Sequence, residues 1–398
     1  MPARKLLVVT DSMEIGGSQR QISLLLDGLD PAQWQAELLF FHSPSFLVAE
    51  LEKKGFTVHH IPKRARLDIG FMLAYAALLR RERFDLTHAF SFTAELWTVV
   101  ARLLALRPTP LVSSVRGLYL DQPGWFWRLK RFVINRSAAV IANARAGAEA
   151  AASRSGAPIG RFDVVPNGVV MPQPLKAEER EARHHELAAP SGRPFGLFVG
   201  RMVKEKNLPC LVRALAGLDP DQRPWIALAG DGPLRAEIEA LATAAGLHGD
   251  MRFLGERTDS HALMQAADFL VLPSIYEGMP NVVLEAMMCG CPVIGAKIGG
   301  IPELIEDGVT GLLFPGNDAP ALGALMQRLG SDPALRGRLA SAARQRALAG
   351  HSVEAMVAST AAVYDRCLSA SAPIRRRTTP SLPPANEIPH DPDQQPLQ

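Results

Sequence analysis

Short apolar runs alternate with stretches of helical periodicity along most of this chain. Runs over 6–9, 36–41, 86–89, 111–115 and 139–142 predict the strands of one unit. Runs over 196–199, 225–229, 251–254, 269–272 and 292–295 predict those of a second. Runs this short and this continuously apolar suit strands covered on both faces, as in parallel sheets flanked by helices. Between the two sets lie Pro172, Pro174, Pro190 and Pro194 and the charged stretch from Lys176 to Glu186, which mark a linker with room for a short helix. A last helical pattern covers about 352–369. Beyond it, proline, Arg375-Arg-Arg377 and polar residues offer too little apolar surface to order a chain. The pattern predicts an α/β protein with a first domain over 1–172, a linker over 173–193, a second domain over 194–350, a C-terminal helix over 351–369 and a disordered Pro-rich tail over 370–398.

Composition narrows the classes. A chain of 398 residues, 47% hydrophobic, can bury two sizeable cores. A net charge of +3 gives no reason to expect a nucleic-acid partner. Cys210, Cys289, Cys291 and Cys367 lack metal-ligand or disulfide-framework spacing, which suits a reducing compartment. Leu6-Leu-Val-Val9 follows Arg4 and Lys5 but runs straight into Thr10-Asp11, so a first strand fits better than a signal peptide. No apolar run reaches membrane-spanning length, and a cytoplasmic protein is expected.

The densest chemistry lies in Glu277-Gly-Met-Pro-Asn-Val-Val-Leu-Glu285. Asn281 suits an N-cap, and the apolar run after it reads as a buried helix closed by Gly290. Free amides at such a helix start, with the helix dipole, attract a phosphate. The spacing of Glu277 and Glu285 does not fix their separation, so a glycosidase pair stays open on residues alone. Arg201 and Lys206 follow the predicted strand over 196–199, at the carboxyl end where doubly wound sheets bind ligands. Gly16-Gly17 follows the first strand and lets backbone approach another group closely. Neither a Gly-x-Gly-x-x-Gly nor a Gly-x-x-x-x-Gly-Lys-Ser/Thr motif occurs, which disfavours a nicotinamide enzyme or a P-loop nucleotidase. Gly230-Asp-Gly-Pro233 reads as a structural turn.

Together with Ala267-Asp-Phe-Leu-Val-Leu-Pro-Ser-Ile-Tyr-Glu-Gly278, this segment resembles the donor-site signature of glycosyltransferase family 4, retaining enzymes of the GT-B fold. The resemblance extends through Pro292-Val-Ile-Gly-Ala-Lys-Ile-Gly-Gly-Ile-Pro-Glu303, Gly308-Val-Thr-Gly311, Val199-Gly-Arg-Met-Val-Lys-Glu-Lys-Asn207, Ile15-Gly-Gly-Ser18 and Val165-Pro-Asn-Gly168. It implies two Rossmann-like domains facing a central cleft, the first binding a glycan or lipid-linked glycan acceptor and the second a nucleotide-diphospho-sugar. The last helix would cross back onto the first domain. The resemblance assigns Arg201 and Lys206 to the leaving diphosphate, Glu277 to the donor sugar and Glu285 to the ribose hydroxyls. Gly16, Gly17, Gly278, Met279, Pro280, Asn281 and Val282 would complete the donor site. It also implies that the departing phosphate accepts the acceptor's proton on the same face.

The first domain departs from the family pattern. Arg116 stands where a histidine is common, and Asp85-Leu-Thr-His-Ala-Phe90 keeps His88 but places Phe90 at a second common histidine. Arg116, which can hold a phosphate through two parallel hydrogen bonds, and His88 are candidates for acceptor or phosphate contact. The Asp-x-Asp spacing occurs at Asp219-Pro-Asp221 and Asp391-Pro-Asp393, outside the donor-site signature, and neither a divalent metal nor another cofactor is expected. From Pro123 to Arg154 six Lys/Arg meet one acidic residue, and aromatics alternate with cations over 125–136. That stretch predicts contact with an anionic membrane, on the cytoplasmic face of the inner membrane, unless Trp125, Leu129 and Phe132 simply face the core. The expected function is a transferase of cell-surface polysaccharide or glycolipid synthesis. The alternatives are a sugar-nucleotide epimerase of the same fold and a non-catalytic nucleotide-sugar-binding partner.

Overall fold

The computed structural model describes residues 3–14, 16–119 and 121–371. Two sheets organise them. In the first, β1 (Arg4–Val9), β2 (Trp34–Phe40), β3 (Thr57–His60), β4 (Leu86–Ala89), β5 (Leu111–Val115), β6 (Ala139–Ala142) and β7 (Phe162–Val164) take the order β3-β2-β1-β4-β5-β6-β7. In the second, β8 (Phe195–Val199), β9 (Trp225–Ala229), β10 (Met251–Gly255), β11 (Phe269–Leu272), β12 (Val293–Ala296) and β13 (Leu312–Phe314) take the order β10-β9-β8-β11-β12-β13. All pairings between these strands are parallel, and the strand order reverses beside β1 and beside β8. These are the switch points at which such sheets open a ligand crevice. The architecture is the expected pair of doubly wound lobes.

The central strands are buried along their whole length, which is why they read as unbroken apolar runs. Three edge strands escaped that pattern. β3 and β7 leave residues of each strand exposed, and β13 has only three residues. Gly196 shows how tightly the second sheet is covered. A Cβ there would come within 2.5 Å of Ile226 and 2.7 Å of Phe269 on the two neighbouring strands.

The linker is more ordered than its composition implies. Residues Ala177–Glu186 form a helix docked on the second lobe. Leu175 N–H donates to Gln265 at 2.7 Å, His184 Nε2 lies 2.9 Å from the Ala266 carbonyl oxygen, and Arg257 pairs with Glu186 at 3.0 Å. The chain crosses between lobes at Val169, which bridges to Ser352, and its N–H donates to the His351 carbonyl at 2.9 Å. From there the helix Val353–Ser371 packs on the first lobe. Val363, Tyr364 and Cys367 join that lobe's core, and Asp365 and Arg366 pair with Arg4 and Asp163 at 2.5 and 2.6 Å. The tail expected over 370–398 lies outside the described residues, apart from its first two positions, which end this helix.

The helix Gly124–Arg136 does not turn Trp125, Leu129 and Phe132 together into the core. Phe126, Trp127, Lys130, Val133 and Ile134 point inward, while Trp125 and Leu129 are exposed. Lys130 turns inward because Glu95, on the helix Phe92–Ala105, receives its ammonium at 2.7 and 2.6 Å. Ser114 completes the arrangement, its N–H donating to Glu95 and its carbonyl accepting from Lys130. No helix among the described residues is long and apolar enough to cross a membrane.

Candidate active site

The second lobe builds its half of the site from two loops at the carboxyl edge of its sheet. After β8 the chain runs Gly200-Arg201-Met202 under the Gly230-Asp-Gly-Pro233 turn. Met202 N–H donates to the Asp231 carbonyl at 2.8 Å, and a Cβ on Gly230 or Gly232 would strike the backbone of Gly200 or Met202. The Gly-Asp-Gly turn is thus a structural clamp on the arginine loop. Next, a short turn over Lys204–Lys206 is stitched to the loop after β11. Ile275 N–H donates to the Glu205 carbonyl at 2.9 Å, Tyr276 to the Glu205 carboxylate at 3.1 Å, and Asn207 to the Pro273 carbonyl at 3.2 Å. These contacts bring Lys206 Nζ to 2.5 Å from Glu277 Oε1, which also accepts from Ser274 Oγ at 2.8 Å. Glu277 Oε2 carries no protein hydrogen bond among the described residues. Arg201 is exposed and has no side-chain partner among them. One cation of the pair is therefore held by a carboxylate and the other is unengaged.

The helix after this loop runs Asn281–Cys289, and Gly290, at φ 70°, closes it. Its start corrects the sequence reading. The capping position is Pro280, no side chain caps the helix, and no acid lies in its first turn. Asn281 instead reaches the other lobe, where its Nδ2 donates to the Gly17 carbonyl at 3.2 Å and its Oδ1 accepts from Asn167 at 2.7 Å. Asn167 also donates to the Met279 carbonyl at 3.3 Å. An uncapped helix start keeps its orphan amides and the positive end of its dipole available to an anion.

The first lobe meets this helix with the Gly16-Gly17 turn, from which the helix Gly17–Gly28 begins. Here the missing Cβ matters, since one on Gly17 would sit 3.2 Å from Asn281 Nδ2. Gly278 makes the reciprocal approach, with space for a Cβ only 2.8 Å from the Arg116 carbonyl. Arg116 is partly buried beneath that contact. Its guanidinium donates to Asn167 at 3.3 Å and lies 4.8 Å from the centre of the Phe90 ring. Among the described residues no carboxylate pairs with it, and burial pulls it down to about 10. His88 is placed otherwise. It is buried, with Nδ1 2.6 Å from Tyr364 Oη and Nε2 2.8 Å from Ser114 Oγ. Burial and the nearby Arg116 charge hold it well below the ordinary imidazole range. Buried and with both nitrogens engaged, it ties the last helix to β4 and β5.

Several residues of the site went unassigned from sequence. Arg20 pairs with Glu285 at 3.3 Å across the lobes, so the carboxylate expected to meet ribose already has a cation beside it. Glu303 accepts from the N–H groups of Arg145 and Ala146, each at 2.8 Å, and thereby caps a helix of the opposite lobe. Asn167 was quoted only as part of a motif, and the polar residue between a proline and a glycine was the available signal. Glu303 likewise was quoted only as the end of a motif, and Arg20 carries no local signal, because its partner lies in the other half of the chain. Among the described residues no group of three or more His, Cys, Asp or Glu gathers as a metal site.

Two family models match this chain: Glycosyltransferase Family 4 over 15–171 and Glycosyl transferases group 1 over 179–346. The chain is 34% identical over 196 residues to the alpha-D-kanosaminyltransferase of Streptomyces kanamyceticus, covering 48% of this chain and 51% of the relative. It is 32% identical over 171 residues to a lipopolysaccharide core biosynthesis glycosyltransferase of Rhizobium meliloti, covering 43% and 49%. The chain thus spans about half the length of these curated relatives. Its fold is similar to that of Anabaena HepE in complex with UDP-glucose, with a TM-score of 0.81, 23% identity and coverage of 91% of this chain and 99% of that one.

Proposed function

The chain belongs to glycosyltransferase family 4, with the GT-B fold, and from that premise we propose that it moves a sugar from a nucleotide-diphospho-sugar to an acceptor hydroxyl with retention at the anomeric carbon. One observation carries the reading: Lys206 is held on Glu277 at 2.5 Å, next to an uncapped helix start and on the same edge as an unengaged Arg201. That is an anion site with spare positive capacity.

In the proposed step the bond from the anomeric carbon to the β-phosphate oxygen breaks, and its electron pair stays on the phosphate. Charge grows there, so Arg201, Lys206 and the amides of Asn281 and Val282 stabilise the transition state more than the bound donor. The acceptor oxygen bonds to the same face of the anomeric carbon, and its proton passes to the departing phosphate. Glu277 orients the sugar through Oε2, which no group among the described residues occupies. Glu285, shared with Arg20, accepts from the ribose. Because the leaving charge is met by side chains and amides, turnover is expected to survive a chelator. The acceptor we favour is a glycan or lipid-linked glycan of a cell-surface polysaccharide or glycolipid, at the cytoplasmic face of the inner membrane. One of the relatives named above acts in lipopolysaccharide core biosynthesis.

The test is a thermal-shift series over nucleoside monophosphates, diphosphates and sugar nucleotides, starting with the uridine set. A ligand bound only by the folded chain raises its apparent stability. The reading expects diphosphates to stabilise far more than monophosphates, and equal shifts would contradict it. Incubating the best donor without acceptor separates the alternatives. An epimerase would release an altered sugar nucleotide, and a binding partner would turn over nothing even when acceptors are added.

A further inference from the structure

We propose that one flank of the first lobe, formed by the helices Ile69–Glu82, Phe92–Ala105 and Gly124–Arg136, is a docking surface for an anionic lipid bilayer. The sequence pointed only to the third helix. What that helix exposes in the structure continues across the other two.

The continuity is geometric. On the third helix Trp125, Leu129, Phe132 and Arg136 fall on one stripe, with the Arg136 guanidinium 4.0 Å from the centre of the Phe132 ring. Arg136 then rims a shallow groove with Leu103, Leu106 and Arg107 at the end of the second helix. Leu104, next to that groove, lines a second one with Leu73, Arg80 and Arg81 of the first helix. Ile69 and Leu73 continue the stripe to that helix's first turn. The apolar members are strongly exposed, Leu106 at 84%, Ile69 at 70% and Trp125 at 51%. Single exposed leucines need no explanation, but a connected band of them does.

The charge selects the occupant. Without the buried Lys130–Glu95 pair and Arg116, which lies at the contact between lobes, residues 63–136 hold eleven Lys and Arg against four Asp and Glu, a net +7, in a chain whose total is +3. Those acids are mostly spent: Asp68 caps the first helix, Glu82 pairs with Lys5 and Arg81, and Asp85 accepts from the Lys5 N–H. Arginines of one sign interleaved with protruding leucines and a tryptophan suit a headgroup layer, where side chains enter acyl chains and cations meet lipid phosphates. A second copy of this chain suits it less, because a two-fold contact would set arginine against arginine. A protein interface would also concentrate its apolar area in one packed centre. Orientation follows from the fold. Helices of a parallel sheet begin at the carboxyl edge of the strands, so Ile69 and Trp125 lie toward the cleft edge and Leu106 lies at the far end. A bilayer along this flank would deliver a lipid-linked acceptor to the edge of the cleft, a point that rests on the transferase reading. Docking itself requires no turnover, so the two can fail separately.

The experiment is flotation of the full chain with vesicles of phosphatidylcholine alone or mixed with phosphatidylglycerol. The expected result is binding to the mixed vesicles at low salt, lost at high salt and absent with phosphatidylcholine alone. The double variants Leu103→Glu/Leu106→Glu and Ile69→Glu/Leu73→Glu should each lower the bound fraction at least tenfold, with melting temperature and nucleoside-diphosphate stabilisation unchanged. Should either glutamate variant melt early, the milder serine pair at the same positions, Leu103→Ser/Leu106→Ser or Ile69→Ser/Leu73→Ser, replaces it. Failure of the wild-type chain to float, or undiminished binding by folded variants, overturns the proposal. A doubled mass in light scattering that the variants reduce to one chain would overturn it too, in favour of a second copy.

Discussion

Two lysine–glutamate pairs divide the labour of this molecule. Lys130 and Glu95, in the first lobe, are both fully buried, and the Ser114 backbone adds further bonds to each. Lys206 and Glu277, at the cleft, are equally close but 19% and 14% exposed, and among the described residues one carboxylate oxygen and the Arg201 side chain have no partner. The first pair has no capacity for a ligand. The second keeps a carboxylate oxygen with no hydrogen bond among the described residues, beside the uncapped start of the Asn281–Cys289 helix. Distance alone does not distinguish them, and what does is which atoms remain unspent.

Separate substitutions should split the two pairs cleanly. Lys130→Met strands the Glu95 carboxylate in the core, and unfolding by urea should show a loss of about 3–5 kcal/mol. Replacing both partners with apolar residues should recover much of it. Lys206→Ala should leave the urea midpoint nearly unchanged yet lower turnover about 10²–10³-fold, as removal of a charge-stabilising donor does elsewhere. If Lys206→Ala unfolds the chain while Lys130→Met spares it, the comparison is wrong.

Arg116 lies between the two cases, a partly buried cation held by an amide and a ring instead of a carboxylate. Arg116→Ala should weaken use of a phosphate-bearing acceptor by about 1.5–3 kcal/mol in kcat/KM while sparing a neutral one. Equal losses on both would assign it to the donor instead.

A weaker effect comes from the saturated region. His88 is held well below its ordinary value of 6.5 by burial, so the unfolded chain takes up a proton that the folded one refuses. Its contribution to stability is complete above the unfolded-chain value and is lost as pH falls below it, with a slope of up to about 1.4 kcal/mol per pH unit. His88→Gln should flatten that slope in pH-dependent urea titrations. His351, also lowered by burial, would leave a remainder. Smallest of all, Asn281→Ala should remove about 0.5–1.5 kcal/mol from the contact between lobes, readable as a raised KM for donor.

How much of this could be read in the chain follows the same division. Central strands such as β9 and β11 were legible because burial on both faces leaves an unbroken apolar run. Thr57-Val-His-His60 was not, because an edge strand keeps polar residues. Lys206 and Glu277 were legible because each sits in a dense local motif. Asn281 was misread because an asparagine before an apolar helix looks the same whether it caps that helix or reaches another lobe. Lys130 was misread because a lysine is expected to face water, and only the fold shows a carboxylate on the neighbouring helix. Long-range partners leave no periodic trace.

The most direct test is a structure of the chain bound to the nucleoside diphosphate that stabilises it most. The account predicts the terminal phosphate within hydrogen-bonding distance of Lys206 Nζ, the Arg201 guanidinium and the first amides of the Asn281–Cys289 helix, with the ribose on Glu285. A diphosphate seated away from that helix start, with Arg201 and Lys206 turned to solvent, would contradict it.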